Sequence, residues 1–350
     1  MRGAQLPTIN QAQRRQLFTD ILKGVSRSFY LTLRVLPDVL REPIGLAYLL
    51  ARAADTLADT TALPRDKRLH YLTVFKDRIA NPATVLGRDD IQTELQDTLA
   101  NPAEAQLLAR LPQLFALLAA QAETDQRLIR QVVATLTDGM VFDLTTFPLE
   151  ESGDIKALQY EQELEYYTYL VAGCVGEFWT EISVAHVNAL AHWNMQTLTE
   201  LGIRFGKALQ MTNILRDLPR DLRIGRCYMP QSWLDQHGLK VTDLLVAENS
   251  AKAQALLQQG IDMALHHFEA AERYVLAIPR HCLRLRLAAL WPLLIGLATL
   301  TRLANSRDWL DAKTHIKVKR GWVYRMIFKS CFVVCSNRLT SHWLGRLKQS

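Results

Sequence analysis

Tyr48-Leu-Leu-Ala-Arg52-Ala-Ala-Asp55-Thr-Leu-Ala-Asp59 lies in a Leu/Ala-rich stretch and carries two carboxylates four residues apart. On a helix that spacing stacks them on one face, about 6 Å apart along the axis. Tyr48, Arg52, Asp55 and Asp59 fall at i, i+4, i+7 and i+11, so the stretch reads as a helix with one polar stripe. A second stretch, Gln210-Met-Thr-Asn213-Ile-Leu-Arg216-Asp217-Leu-Pro-Arg-Asp221, repeats the pattern. There Gln210, Asn213, Asp217 and Asp221 share one face beside apolar Leu209, Met211, Ile214 and Leu215.

Like charges one turn apart cost a few tenths of a kcal/mol, and a polar stripe facing a core is costly unless satisfied. Mg²⁺ takes oxygen ligands and is usually held by one or two carboxylates plus substrate phosphates. Two such pairs, each with an arginine at hand, point to a Mg²⁺-diphosphate site. The competing reading is a pair of solvated faces with weak Arg–Asp bridges. Recurrence of the spacing in two apolar segments weighs against it.

Working outward, helical periodicity recurs around residues 11–24, 39–60, 65–80, 104–121, 124–144, 160–185, 194–217, 251–278 and 283–305. Gly and Pro fall mostly between these segments, and no alternating Val/Ile/Thr run is long enough for a sheet. The expectation is an all-α chain: one large helical domain over residues 1–312 and a basic extension over 313–350. The chain is 49% hydrophobic and 22% charged, a globular composition. Its net charge of +6 is unevenly spread, because residues 313–350 hold nine Lys or Arg and no Asp or Glu. Subtracting that +9 leaves the other 312 residues at −3, which speaks against a nucleic-acid-binding body.

Five scattered cysteines, Cys174, Cys227, Cys282, Cys331 and Cys335, form no Cys-x-x-Cys spacing or even-numbered disulfide framework. Residues 1–15 are polar and lack an apolar signal core. The longest apolar run, Leu287 to Leu300, contains Pro292 and is shorter than the 18 or so residues a spanning helix needs, so it reads as a buried core helix. A reduced, cytoplasmic, monomeric protein is expected. The tail interleaves Trp322, Val323, Met326, Ile327, Phe328, Phe332, Val333 and Val334 with Arg325 and Lys329. It admits two readings: peripheral contact with the inner face of a membrane, or a last helix packed on the body.

Together with Ser26-Arg27-Ser28-Phe29, Val171-Ala-Gly-Cys-Val-Gly176 and Gly225-Arg-Cys-Tyr-Met-Pro230, the two acidic stretches resemble the squalene/phytoene synthase family over about residues 24–325. That resemblance implies a helical bundle of the isoprenoid (terpenoid) synthase type with a central apolar channel. It also implies head-to-head joining of two isoprenoid diphosphates. Asp55, Asp59, Asp217 and Asp221 would hold Mg²⁺, with Asn213 and Gln210 supporting the second pair. Arg27, Arg52, Arg216 and Arg226 would hold diphosphate oxygens, where a planar guanidinium fork suits phosphate. Ser26, Ser28, Phe29 and Tyr48 would shape the pocket mouth, and Val171, Val175 and Pro279 would line the channel. Arg52 and Arg216 would assist departure of the diphosphate. Tyr169, with Tyr167 behind it, takes the place of a proton-accepting tyrosine that the animal members carry where this chain has Leu170. Ala58 stands where those members have another acidic residue.

Ile316-Lys317-Val318-Lys319-Arg320-Gly321 is similar to a basic segment that contacts NADPH phosphates in the squalene branch. Lys317 and Lys319 are the matching positions, with Arg27, Arg52 and Arg216 on the phosphate side; basic anchoring to anionic lipid would explain the same residues. The implied activity is condensation of two farnesyl diphosphates through presqualene diphosphate, then NADPH-dependent reduction to squalene. The alternatives are a phytoene or dehydrosqualene synthase without reductant and, from a different class, a non-catalytic helical assembly or lipid-binding relative. P-loop, Rossmann and zinc-hydrolase fingerprints do not occur.

Overall fold

A computed structural model describes residues 9–26, 29–60, 63–81 and 101–348. Helices begin where the sequence supplies a cap. Asn10 accepts from Gln13 N at 2.9 Å and the Gln13 side chain accepts from Asn10 N at 3.1 Å, a reciprocal box that opens α1 (Gln11–Gln16). A π-helical turn, Leu17–Ile21, continues into α2 (Leu22–Ser26). By Cα proximity the chain divides into two compact units.

The first unit comprises Met1–Leu144 and Glu181–Val187. After α3 (Phe29–Val35) comes α4 (Asp38–Asp59), whose Leu40, Leu46, Leu49, Leu50, Ala53, Ala54 and Leu57 are fully buried. They pack on α5 (Arg65–Ala80), α6 (Pro102–Ala109) and α7 (Leu111–Ala119), each leucine contributing about 1.5–3 kcal/mol. Phe75 of α5 meets Phe115 of α7 at 5.8 Å between centroids. The periodicity over 104–121 predicts one helix, but the structure breaks it at Arg110. Pro112 has no N–H to donate and disfavours helical backbone before it, so α7 starts afresh around it. In α8 (Glu123–Thr146), Asp125 is hydrogen-bonded to His186 at 2.8 Å.

The second unit comprises Thr145–Thr180 and Asn188–Ser350. Here α9 (Glu161–Thr168) runs through a π-helical turn, Tyr169–Gly173, into α10 (Cys174–His186). The sequence periodicity passes over this turn as one continuous helix. α11 (Met195–Asp221) is capped by Asn194, which accepts from Thr197 N at 3.0 Å. The π-turn and α10 touch α11 backbone to backbone: a Cβ on Gly176 would lie 1.8 Å from Gly202 O, and one on Gly206 would lie 2.1 Å from Ala172 O. Only glycine permits that approach, which explains the Val-Ala-Gly-Cys-Val-Gly segment in packing terms.

Beyond α11, Gly225 adopts φ +83° and turns the chain into a two-residue parallel pairing, Lys156 with Arg226 and Ala157 with Cys227. After α12 (Gln231–Gln236), α13 (Gln254–Ala277) and α14 (Leu283–Ala304) pack along α11. Among the described residues α14 is the one helix long and apolar enough to cross a membrane, and 67% of its apolar window is buried inside the protein. The extension forms α15 (Arg320–Val333) and α16 (Asn337–Lys348), both fastened to this unit. Trp291 Nε1 donates to Ser330 Oγ at 2.9 Å, and the fully buried Arg286 donates to Ile278 O at 2.6 Å and Asn337 Oδ1 at 2.9 Å. All five cysteines are free; burial pushes the Cys174 and Cys227 thiols up to about 12.

Gly176→Ala is expected to destabilise the fold by about 3 kcal/mol or more, since backbone rather than a movable side chain blocks the methyl group. Gly345→Ala, which meets nothing within 4 Å inside α16, is expected to be neutral or slightly stabilising. Thermal melts of the two variants compare them directly.

Candidate active site

Along residues 43–60 of the first unit, every side chain is buried except Tyr48, Ala51, Arg52, Asp55 and Asp59. Leu and Ala fix the other faces of α4 in the core, so the polar stripe is the side left open. Tyr48 stacks on Phe29 with centroids 5.0 Å apart and donates to Val25 O at 3.1 Å. Arg52 bridges Asp55 on its own helix and Glu104 on α6, the latter at 2.6 Å; Asn101 Nδ2 donates to the same Glu104 oxygen at 2.9 Å. Arg52 Nε is buried with no hydrogen-bond partner among the described residues, and so is Ser26 Oγ. Burial and the neighbouring Asp59 push the Asp55 carboxyl up to about 7, against the pull of Arg52. Ala58 is buried, so the helix offers no further oxygen there. Arg27 and Ser28 lie outside the described residues.

In the second unit the open stripe of α11 carries Lys207, Gln210, Asn213, Arg216, Asp217 and Asp221, while Met211, Thr212, Ile214, Leu215 and Leu218 are buried. Asn213 Nδ2 reaches Gln210 Oε1 at 3.4 Å. Arg216 grips the carboxylate of Asp217 with two donors, Nε to Oδ1 at 2.9 Å and Nη2 to Oδ2. Arg216, Asp217, Pro219 and Arg220 line one side of a cleft; Thr314, His315, Ile316 and Lys317 line the other. Lys317 thus joins the second acidic stretch, held by a 2.9 Å bond from Arg302 to its carbonyl. Lys319 caps α15 and is exposed outside that lining. Arg226, half-buried on the strand pair, donates to Glu150 at 3.0 Å.

Val171 and Val175 are partly open on the π-turn and α10, and Pro279 lies partly open in the turn between α13 and α14. Tyr169 donates to Glu177 Oε2 at 2.9 Å. Tyr167 is buried, stacked on Tyr228 at 4.6 Å with the two hydroxyls 3.2 Å apart.

Sequence reasoning missed Glu104, Glu177 and a part-buried triad. In the triad Glu165 takes a hydrogen bond from Lys207 and lies 3.0 Å from His267 Nε2. Burial favours a neutral Glu165, but the bonds and charges of His267 and Lys207 prevail and hold it down at about 2. Lys207 was within reach, because it precedes Gln210 by three residues on the same stripe. Glu104, 52 residues from Arg52, has no local signal.

The donor set suits Mg²⁺. Among the described residues no three His, Cys, Asp or Glu side chains gather as a metal cage. What the helices offer are carboxylate pairs, with Asp55 resisting its charge while only Arg52 offsets it. Such pairs match a hard cation completed by phosphate oxygens and water.

A family model for squalene/phytoene synthase matches residues 22–322, and the chain belongs to that family. Its described residues have the all-α fold of the solved squalene synthases, and the chain spans between 41% and 66% of the length of the first relatives it matches. It is 25% identical over 311 residues to the squalene synthase of Saccharomyces cerevisiae, covering 89% of this chain and 66% of that protein. It is 28% identical over 262 residues to the presqualene diphosphate synthase of Rhodopseudomonas palustris, covering 75% and 78%. The solved structure of TcSQS with a bound ligand superposes with a TM-score of 0.75 at 22% identity, covering 95% of this chain and 89% of that one.

Glu165 contributes stability above its unfolded pKa of 4.5 that is lost as pH falls toward about 2. Glu165→Gln is expected to be less stable than the parent near neutrality and to lose less between those pH values. Urea denaturation across that window reads the difference.

Proposed function

We propose that this enzyme joins two farnesyl diphosphates head to head through presqualene diphosphate and, with NADPH, reduces that intermediate to squalene. The observation that carries the reading is the pair of open stripes. Two helices otherwise buried each expose an arginine beside two carboxylates one turn apart, the equipment for a Mg²⁺-bound diphosphate. Asp55 and Asp59 would hold metal on one helix, and Asp217, Asp221 and Asn213 on the other. Mg²⁺, when bound, neutralises the charge growing on a departing diphosphate.

The chain's own residues supply the rest. Arg27, Arg52, Arg216 and Arg226 hold diphosphate oxygens, with Gln210 supporting the second set. Arg52 is kept in place by Glu104, so its guanidinium is set before substrate arrives. Ser26, with its hydroxyl unpartnered among the described residues, joins Ser28, Phe29 and Tyr48 at the mouth. Val171, Val175 and Pro279 face an apolar channel that keeps water from the allylic cation. Tyr169 accepts the proton lost as the cyclopropane ring closes and passes its own to Glu177, 2.9 Å away; Tyr167 stands behind it. Lys317 and Lys319 would hold phosphates of NADPH, which would supply hydride when bound; Arg27, Arg52 and Arg216 are the further candidates for its phosphate side. The shared cleft of Lys317, Arg216 and Arg220 supports that placement.

The purified chain is expected to convert farnesyl diphosphate with Mg²⁺ and NADPH to squalene, and to stop at presqualene diphosphate without NADPH, identified by mass. The same unreduced polyene in both reactions would place it on the dehydrosqualene branch. Asp217→Asn is expected to lower kcat about 10²- to 10³-fold. Lys317→Ala is expected to raise KM for NADPH while presqualene diphosphate still forms, as separate assays of the two half-reactions would show.

A further inference from the structure

α15 has its polarity turned round. Met326, Ser330 and Val333 form its buried side. On the opposite side, at four-residue spacing, Tyr324, Phe328 and Phe332 are 68%, 70% and 67% exposed, the highest values among the large hydrophobic side chains described. Phe328 and Phe332 pack edge to face at 5.1 Å, so the rings form one continuous ridge. A surface helix in water presents polar residues on that face. Here the polar residues flank the ridge instead: Arg320, Arg325 and Lys329 are all exposed, and Lys329 lies over the Trp343 ring at 4.4 Å.

The ridge is held in place. Besides the anchors at Ser330 and Asn337, Lys348 bridges Glu272 at 2.6 Å and Thr301 donates to Leu347 O at 2.9 Å. Nine Lys or Arg and no Asp or Glu lie between Lys313 and Ser350. A ridge of aromatics bordered only by cations complements a surface that is apolar below and anionic above. A second copy of the chain fits less well, because a two-fold contact through this face would set like charges against each other.

We propose that α15 docks the protein on an anionic lipid bilayer, with Tyr324, Phe328 and Phe332 below the headgroups and Arg320, Arg325 and Lys329 at the lipid phosphates. Aromatic rings seat at that depth, and each cation near an anionic surface adds to the attraction. The inference stands whichever product the enzyme releases.

Vesicle flotation of the full chain tests it, using phosphatidylcholine alone and phosphatidylcholine mixed with phosphatidylglycerol. The chain is expected to float with the mixed vesicles far more than with the neutral ones. Phe328→Ser/Phe332→Ser is expected to lose at least about tenfold in vesicle affinity while its melting temperature holds. Arg325→Gln/Lys329→Gln is expected to lose about tenfold, and the parent to detach as salt rises. Failure of the parent to float on either vesicle would overturn the proposal. So would undiminished flotation of the aromatic variant. A parent dimer in sedimentation velocity that the aromatic variant dissolves, without change in flotation, would assign the ridge to self-association instead.

Discussion

Asp55 and Asp59 repel one another across one turn of α4, and the helix has no other side on which to relieve that repulsion. Its remaining faces are buried and made mostly of leucine and alanine. At Asp55, Arg52 offsets only part of that repulsion. The Asp55 carboxyl, driven up to about 7, records the shortfall. Under the proposed reading, a cation brought in with a diphosphate would remove it, and the core packing of α4 would favour such a ligand. On α11 the apolar faces are equally committed, but Arg216 already closes on Asp217 with two donors. In the proposed reading that carboxylate would exchange a guanidinium for metal.

The glycines on the α10–α11 seam serve the same end by another route. Where Gly176 meets Gly202 the two backbones lie in direct contact, which draws the π-turn with Tyr169 close to α11. The turn adds a residue to the helical circuit and re-aims the start of α10, so Tyr169 reaches Glu177 eight residues on. Lys207 extends the α11 stripe toward Glu165, tying a third element to the same face.

What could be read from the chain alone was what repeats locally. Leucine and alanine at helical intervals set the helices, and the stripes at 48–59 and 210–221 were visible because every member lies within eleven residues of the first. The break at Arg110 was visible too, in Pro112, but apolar periodicity on both sides hid it. The π-turn leaves no mark in composition. Partners brought by tertiary packing, such as Glu104 for Arg52 or His267 for Glu165, are set by helices far apart in sequence. Exposure was the other gap. From sequence, Phe328 and Phe332 fitted a packed helix as well as a membrane contact, and the burial of Met326, Ser330 and Val333 is what turns Tyr324, Phe328 and Phe332 outward.

Arg286 gives the tail a role beyond surface chemistry. Its guanidinium is wholly buried, its Nε has no partner among the described residues, and burial already lowers its pKa. One of its two hydrogen-bonded acceptors, Asn337, belongs to the first turn of the last helix. Shortening the chain ahead of that residue would leave a buried guanidinium with one acceptor fewer, and an unsatisfied bond to a charged donor costs about 1.5–3 kcal/mol. Residues 337–348 thus help satisfy a buried cation in the core of their unit as well as covering its surface.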